Sequence, residues 1–314
     1  MAKTSARRGG APGGGPDPTF PFMGAEEAST VRSLAQRACA EAGVEVVIHA
    51  GHLVGLGGAE AGLRNLMTEC RHAPGGRRDW PEVVNRHVQA LVAVTAAPHP
   101  LDGMSRDKGL SRTYLRVITA PAPAALAPHI TYARSPAAGL IETLVVDTTN
   151  ALITLTDADL SRWGAEATRT AGETNLRRAQ IDAADELSLG DGVTIRLVRG
   201  GTHTASLVLV LTDLLSRLDR HREHPDGVLV GVPFRNVLAI HPLAGPEAAL
   251  ALTKLAGFTR LAYDNESGPV SPAAYWWRDG TMRLVCLMDE GGRTTVTDDE
   301  EFEDLLRRLA ARGR

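Results

Sequence analysis

LVRGGTHTASLVLVLTDLL, residues 197–215, changes character in mid-run. It reads as a strand, then Gly200-Gly201, then Thr202-His203-Thr204, then an apolar helix. A glycine turn opening into a helix N-terminus is a common way to hold a phosphate, because bare backbone N–H groups point at the anion. The same atoms also make an ordinary turn, with Thr202 or Thr204 capping the helix. Caps are found on most helices and phosphate sites on few, so the cap is the preferred reading.

Working outward, the C-terminal part keeps mixing helix with hairpin. GVTIRLVRGG is a strand and TASLVLVLTDLLSRLDRHRE a helix. GVLVGVP and NVLAIHPL are strands, and GPEAALALTKLAGF is a helix. PVSPAAYWWRDGTMRLVCLM is a hairpin turning at Arg278-Asp279-Gly280. DDEEFEDLLRRLAARGR is an amphipathic terminal helix, acidic at its start and basic at its end, which suits the helix dipole.

Towards the N-terminus, Ala25–Gly43 has helical spacing and Gly43 at the C-cap. VEVVIH and HLVGLGG form a strand pair, and AEAGLRNLMTECRHA is a helix. DWPEVVNRHVQALVAVTAA is another, with Asp79 able to cap it and Pro81 in its first turn. Pro98–Leu110 reads as loop, TYLRVITA as strand and PAPAALAPHI as a hinge. Residues 130–156 hold two or three strands. DADLSRW is a short helix, and GAEATRTAGETNLRRAQ a longer one with Glu173 and Arg177 paired four apart. The pattern predicts an α+β fold of mixed, largely antiparallel sheets with hairpins covered by helices. Residues 1–22 form a disordered Gly/Pro-rich tail, 23–98 an N-terminal lobe, and 111–314 a larger lobe.

Composition narrows the class. Of 314 residues 43% are hydrophobic, enough for a real core, and 34 basic against 37 acidic residues leave a charge of −3. That balance argues against nucleic acid as a partner. No run of about 18 apolar residues suggests a membrane span, and Gly and Pro stand where a signal peptide needs an apolar region. Cys39, Cys70 and Cys286 are sparse and unpaired in sequence, which suits a cytoplasmic location.

ITYARSPAAGLIETLVVDTTNALITLTDADLSRWGAEATRTAGETNLRR, residues 130–178, resembles the centre of the DUF1444 family, also called YtpQ or UPF0354. The shared pattern is a strand-rich segment, a short helix bearing Trp163, and a longer helix ending in Asn175-Leu176. GVLVGVPFRNVLAIHPL and SPAAYWWRDGTMRLVCLM are similar too, so the resemblance spans about Val44 to Met288. It implies a bacterial cytosolic protein and this order of elements, and brings no biochemical activity with it. The Gly/Pro-rich N-terminus, the Ala-rich composition and GGTHTAS depart from the family pattern.

Several residue groups are candidates for chemistry. His49/His52 and His221/His224 have HxxH spacing, but lack the glutamate and third ligand of a zinc site. The first pair straddles a turn, and the second ends a helix. No metal and no cofactor is expected. GLGGAEAG lacks the third glycine of a dinucleotide loop and reads as a tight turn. Ser206 and Ser271 have no nucleophile motif, and Cys70 and Cys286 read as core. Of the adjacent Trp276 and Trp277, one should be core and the other nearer the surface, beside Arg278, where it would suit a partner interface. The balance favours a non-enzymatic module binding a protein partner or small anionic ligand. The alternative is an enzyme acting on a phosphate-bearing or other anionic molecule. Its site would use Arg199, Gly200, Gly201, Thr202 and Thr204, with Asn175 and Arg177, and with His203 as general acid–base.

Overall fold

The computed structural model describes residues 15–55, 60–96, 100–120, 129–148, 151–219, 223–289 and 291–312. The start of the Gly/Pro tail, the Gly57-Gly58 pair, the hinge at 121–128 and His221 lie outside them. The chain divides into two units, Met1–Ala97 and Pro98–Arg314.

In the first unit α1 (Ala25–Glu41) leads into an antiparallel sheet of β1 (Val46–Ile48), β2 (His52–Gly55) and β3 (Glu60–Gly62). Then follow α2 (Arg64–Arg71) and α3 (Trp80–Ala96). Val31, Ala35, Leu53, Leu66, Met67, Cys70 and Trp80 form its core. The helix expected from residue 59 starts at Arg64, because residues 60–62 pair with β2 instead. Residues 15–22, expected to belong to a disordered tail, are packed together with Met23. Phe20 and Met23 are buried, and the Asp17 carboxylate accepts from the Phe20 N–H and pairs with Arg32.

In the second unit α4 (Arg106–Ser111) precedes a three-stranded sheet of β4 (Thr113–Thr119), β5 (Leu140–Asp147) and β6 (Leu152–Thr154). Next come α5 (Asp157–Trp163), α6 (Ala165–Arg177), β7 (Ile181–Ser188) and β8 (Thr194–Gly200). A 3-10 segment (Ala205–Val210) leads into α7 (Leu211–Leu218), β9 (Val228–Gly231), β10 (Val237–Pro242) and α8 (Ala248–Asn265). The chain ends with β11 (Ala274–Arg278), β12 (Thr281–Met288), β13 (Thr294–Val296) and α9 (Glu300–Ala311). The larger sheet is antiparallel, in the order β13-β12-β11-β9-β10-β8-β7. The α+β expectation is thus what the structure shows.

Strand alternation gives this sheet two apolar faces. On β8, Ile195 joins Leu252 of α8 and Phe302 of α9. Val198, three residues on, joins Leu207, Leu211 and Tyr275 in a core shared with Leu115 and Leu144 of the smaller sheet. The β11–β12 turn has Asp279 at φ 49° and Gly280 at φ 80°, the paired left-handed residues that tight hairpins favour. Four features differ from expectation. Part of the Pro98–Leu110 loop is helical: Ser105 caps α4, and Gly109 gives Trp163 room. β7 and β13 form strands where the sequence pattern predicts none. The helix after His203 begins as 3-10. Its α-helical part stops at Leu218, so His224 does not end a helix.

Candidate functional site

The glycine turn at the end of β8 is not an open cradle. A Cβ on Gly200 would stand 2.7 Å from the Thr204 hydroxyl and 3.0 Å from the Gln180 carbonyl. Glycine is needed there for the chain's own close packing. Beyond it, the Thr204, Ala205, Ser206 and Leu207 N–H groups donate to the carbonyls of Gly201, Arg235, His203 and Thr204. Nor is there a threonine cap: Thr204 holds the N-cap position, but its hydroxyl donates to the Gly201 carbonyl at 2.8 Å. Thr202 is half-buried in the turn.

The other residues expected at this site lie elsewhere. Arg199 follows the alternation of Ile195 and Leu197, on the face opposite Val198, and pairs with Asp185 of β7. The Asn175 amide donates to the carbonyls of Leu110 and Thr113, tying α6 to β4. Arg177 is occupied by Glu173 at 2.5 Å and Asp213 at 2.9 Å. Trp276 is 1% exposed, tilted against Phe302, and its indole N–H donates to the Asp226 carbonyl. It is core, as one of the pair was expected to be, and offers no interface. Trp277 is half-buried against the opposite cluster.

His203 has different company. Its Nε2 lies 2.9 Å from Oδ2 of Asp147, at the end of β5. Its ring stacks on Tyr114 of β4, with centroids 4.0 Å apart and planes 13° from parallel. Tyr114 and Arg116 share one face of β4 and stand opposite Val145 and Thr143 of β5. The Val117 N–H donates to Ser206 Oγ, which ties β4 to the 3-10 segment. The Ala205 N–H donates to the Arg235 carbonyl, which brings the β9–β10 connection to the same place. The Arg235 backbone N–H donates to the Gly268 carbonyl, and its side chain lies over Gly268 and donates, among the described residues, to its neighbour Asn236 at 3.3 Å. The Arg116 side chain is half-buried and makes no hydrogen bond or ion pair among the described residues.

The electrostatics follow from that packing. Burial pushes the His203 pKa down, Asp147 partly restores it, and Arg116 lowers it further. Burial also lowers Arg116, and the charge of Arg235 adds to the effect while Asp147 opposes it. Because Asp147 accepts at Nε2, that nitrogen carries the ring's proton in the neutral form. Nδ1 is then a buried atom with no hydrogen-bond partner. A depressed histidine makes acid destabilising. Below pH 6.5, the ordinary value for an imidazole, the unfolded chain binds a proton that the folded chain refuses. Stability should therefore fall as pH drops through 6.5 and level off below the folded value. His87 in the first unit, also depressed by burial, acts in the same direction. Urea midpoints from pH 7.5 to 5 check this, and His203→Gln should give a shallower acid limb. An identical limb in wild type and variant would contradict the assignment.

Among the described residues, which leave out His221, the other nucleophile and metal candidates are buried or already engaged. Burial pushes the Cys70 thiol up to about 12 and Cys286 to about 11, and raises Cys39 as well. Such thiols stay protonated and inert near neutral pH. Ser206 is buried as an acceptor for β4, and Ser271 bonds to the Tyr275 hydroxyl at 2.7 Å. His49 and His52 stack on each other across the β1–β2 turn, 4.7 Å apart. Among the described residues, no group of three or more His, Cys, Asp or Glu is placed to hold a metal ion. None of their helices is long and apolar enough to cross a membrane.

The second unit is thus an α+β domain whose charged cluster lies where β4, β5, the Gly200 turn and the β9–β10 connection meet. Set against family models, curated proteins and solved structures, the chain matches none.

Proposed function

We propose that the second unit binds a small anionic molecule at Arg116, Arg235 and His203. The observation that carries this reading is Arg116. A half-buried guanidinium ordinarily finds a carboxylate, yet this one has no hydrogen-bonding partner among the described residues and feels a second arginine. The carboxylate acting on it, Asp147, is already held by His203. An anion between the guanidiniums relieves their repulsion and gains charge-assisted hydrogen bonds. This keeps the anionic-ligand expectation and changes its residues: Arg116 and Arg235 replace Arg199, Asn175 and Arg177.

Sulfate tests it, because its charge is constant from pH 5 to 8. A bound anion raises the His203 pKa, so sulfate should bind more tightly at pH 6 than at pH 7.5. Arg116→Ala should weaken binding about tenfold or more, since hydrogen bonds to charged groups contribute about 1.5–3 kcal/mol. Calorimetric titration reads both effects. Equal affinity in the variant would remove the proposal.

The Asp147–His203 pair favours a second reading, an enzyme acting on a phosphate-bearing substrate. A carboxylate-oriented imidazole is the arrangement that general acid–base catalysis uses. Hydrolysis of an aryl phosphate that is lost in His203→Gln would support it, and turnover unaffected by that change would dismiss it.

The wider setting is also a proposal: a bacterial cytosolic protein of the DUF1444 kind. Its support is the resemblance of residues 130–178. Two of the three positions that carry that resemblance, Trp163 and Leu176, are 2% and 0% exposed, and Asn175 serves backbone carbonyls. The resemblance therefore speaks to the fold and not to chemistry.

A further inference from the structure

The opposite end of β8 holds a cavity with both polar and apolar walls. There β8 begins at Thr194 and β10 runs out at Pro242, and an enclosure of about 240 Å³ opens between the strand ends, α7 and the start of α8. His241, only 7% exposed, lines it. Nδ1 of this ring lies 2.8 Å from the Thr194 carbonyl oxygen. A carbonyl only accepts, so Nδ1 carries a hydrogen, and in the neutral ring Nε2 presents a lone pair. That Nε2 is buried and has no hydrogen-bond partner. An orphaned acceptor on a ring already oriented by a backbone carbonyl is costly unless a donor meets it.

The charges around the cavity indicate what the donor is. Asp219 is held by Arg196 at 2.8 Å, so these two cancel. Glu186 and Glu247 also line the space, and neither makes a side-chain hydrogen bond or ion pair among the described residues. Leu215, Leu218 and Ile240 supply an apolar wall. His224 also lines the space and has a partner of its own, so the remaining surplus is two carboxylates and one lone pair, next to a surface that accepts a short alkyl chain. No group of three metal-ligating side chains is assembled there among the described residues, which argues for an organic cation over a metal ion.

We propose that this cavity is a binding site for a small primary ammonium compound, with N–H donated to Nε2 of His241 and charge balanced by Glu186 and Glu247. It stands at the other end of β8 from the His203 cluster and draws on the opposite ligand charge. It does not depend on the anion proposal.

The probes are n-butylammonium and tetramethylammonium, which share a charge but differ in N–H donors. The readout is the ring-nitrogen resonances of His241 in the full chain, titrated with each at pH 7.5. Butylammonium should shift them saturably, and tetramethylammonium should bind at least about tenfold more weakly. Glu247→Gln, a partly exposed change that leaves the core intact, should weaken butylammonium several-fold while the melting temperature without ligand stays unchanged. His241→Gln should abolish the N–H preference. Four results would overturn the assignment: no saturable shift up to about 50 mM, an equal response to both ammonium ions, full binding retained in both variants, or displacement of the amine by zinc at the same nitrogens.

Discussion

Replacing Trp276 with alanine is expected to remove about 3–5 kcal/mol of stability. The side chain is 1% exposed and fills the layer between β11 and α9. Its ring meets Phe302 at 5.2 Å, and the Arg283 guanidinium lies 4.7 Å from it. Truncation opens a cavity, strips the arginine of its aromatic partner and orphans the Asp226 carbonyl that accepts the indole N–H. Trp276→Phe refills much of the space but still lacks that donor, so it should fall between alanine and wild type. Denaturant midpoints of the three proteins decide the matter, and a loss below about 1 kcal/mol for alanine would contradict the packing described.

Gly227→Ala, just before β9, should cost about 2–5 kcal/mol, and for a different reason. Gly227 sits at φ +80°, where an L side chain is strained. Its Cβ would also fall inside van der Waals contact of the Trp277 carbonyl oxygen and 2.7 Å from Nε1 of Trp276. The carbonyl belongs to a paired strand and cannot move away cheaply. Because one of the two clashes is with Trp276, the substitutions are coupled. Removing the indole relieves one clash and leaves the carbonyl and the φ. The double variant should therefore lose less than the sum of the single losses, but more than Trp276→Ala alone. Strict additivity in a double-mutant cycle would show that the indole does not confine this glycine.

What is legible in the sequence follows local physics. The apolar runs VLVG and VLAIHP, the Asp-Gly turn of β11–β12 and the short helix α5 with its first-turn aspartates each carry their own signal, and each forms as expected. IDAADELS does not look like a strand because β7 lies at the sheet edge and exposes most of its residues. Its pairing comes from β8, not from its own pattern. Six-residue α4 is too short to show a period. The candidate site is legible at His203 and nowhere else. Asp147 is 56 residues away, Tyr114 and Arg116 come from β4, and Arg235 acts on Arg116 from the β9–β10 connection, an assembly that no linear motif records. Proximity in sequence points to Arg199, which alternation along β8 puts across the sheet from Val198 and which pairs with Asp185. The turn looks open in sequence because its Ala205 N–H is held by a tertiary partner, the Arg235 carbonyl.

The acidic edge formed by β7 has a consequence for how molecules of this protein meet. An open strand is a template on which a second chain can pair and aggregate. Here Asp182 and Glu186 stand along that strand, beside Asp185 with its Arg199 partner. A twin laid antiparallel against it would set carboxylates facing carboxylates, which disfavours pairing. The residues that hide β7 as a strand also make it a poor seed for self-association.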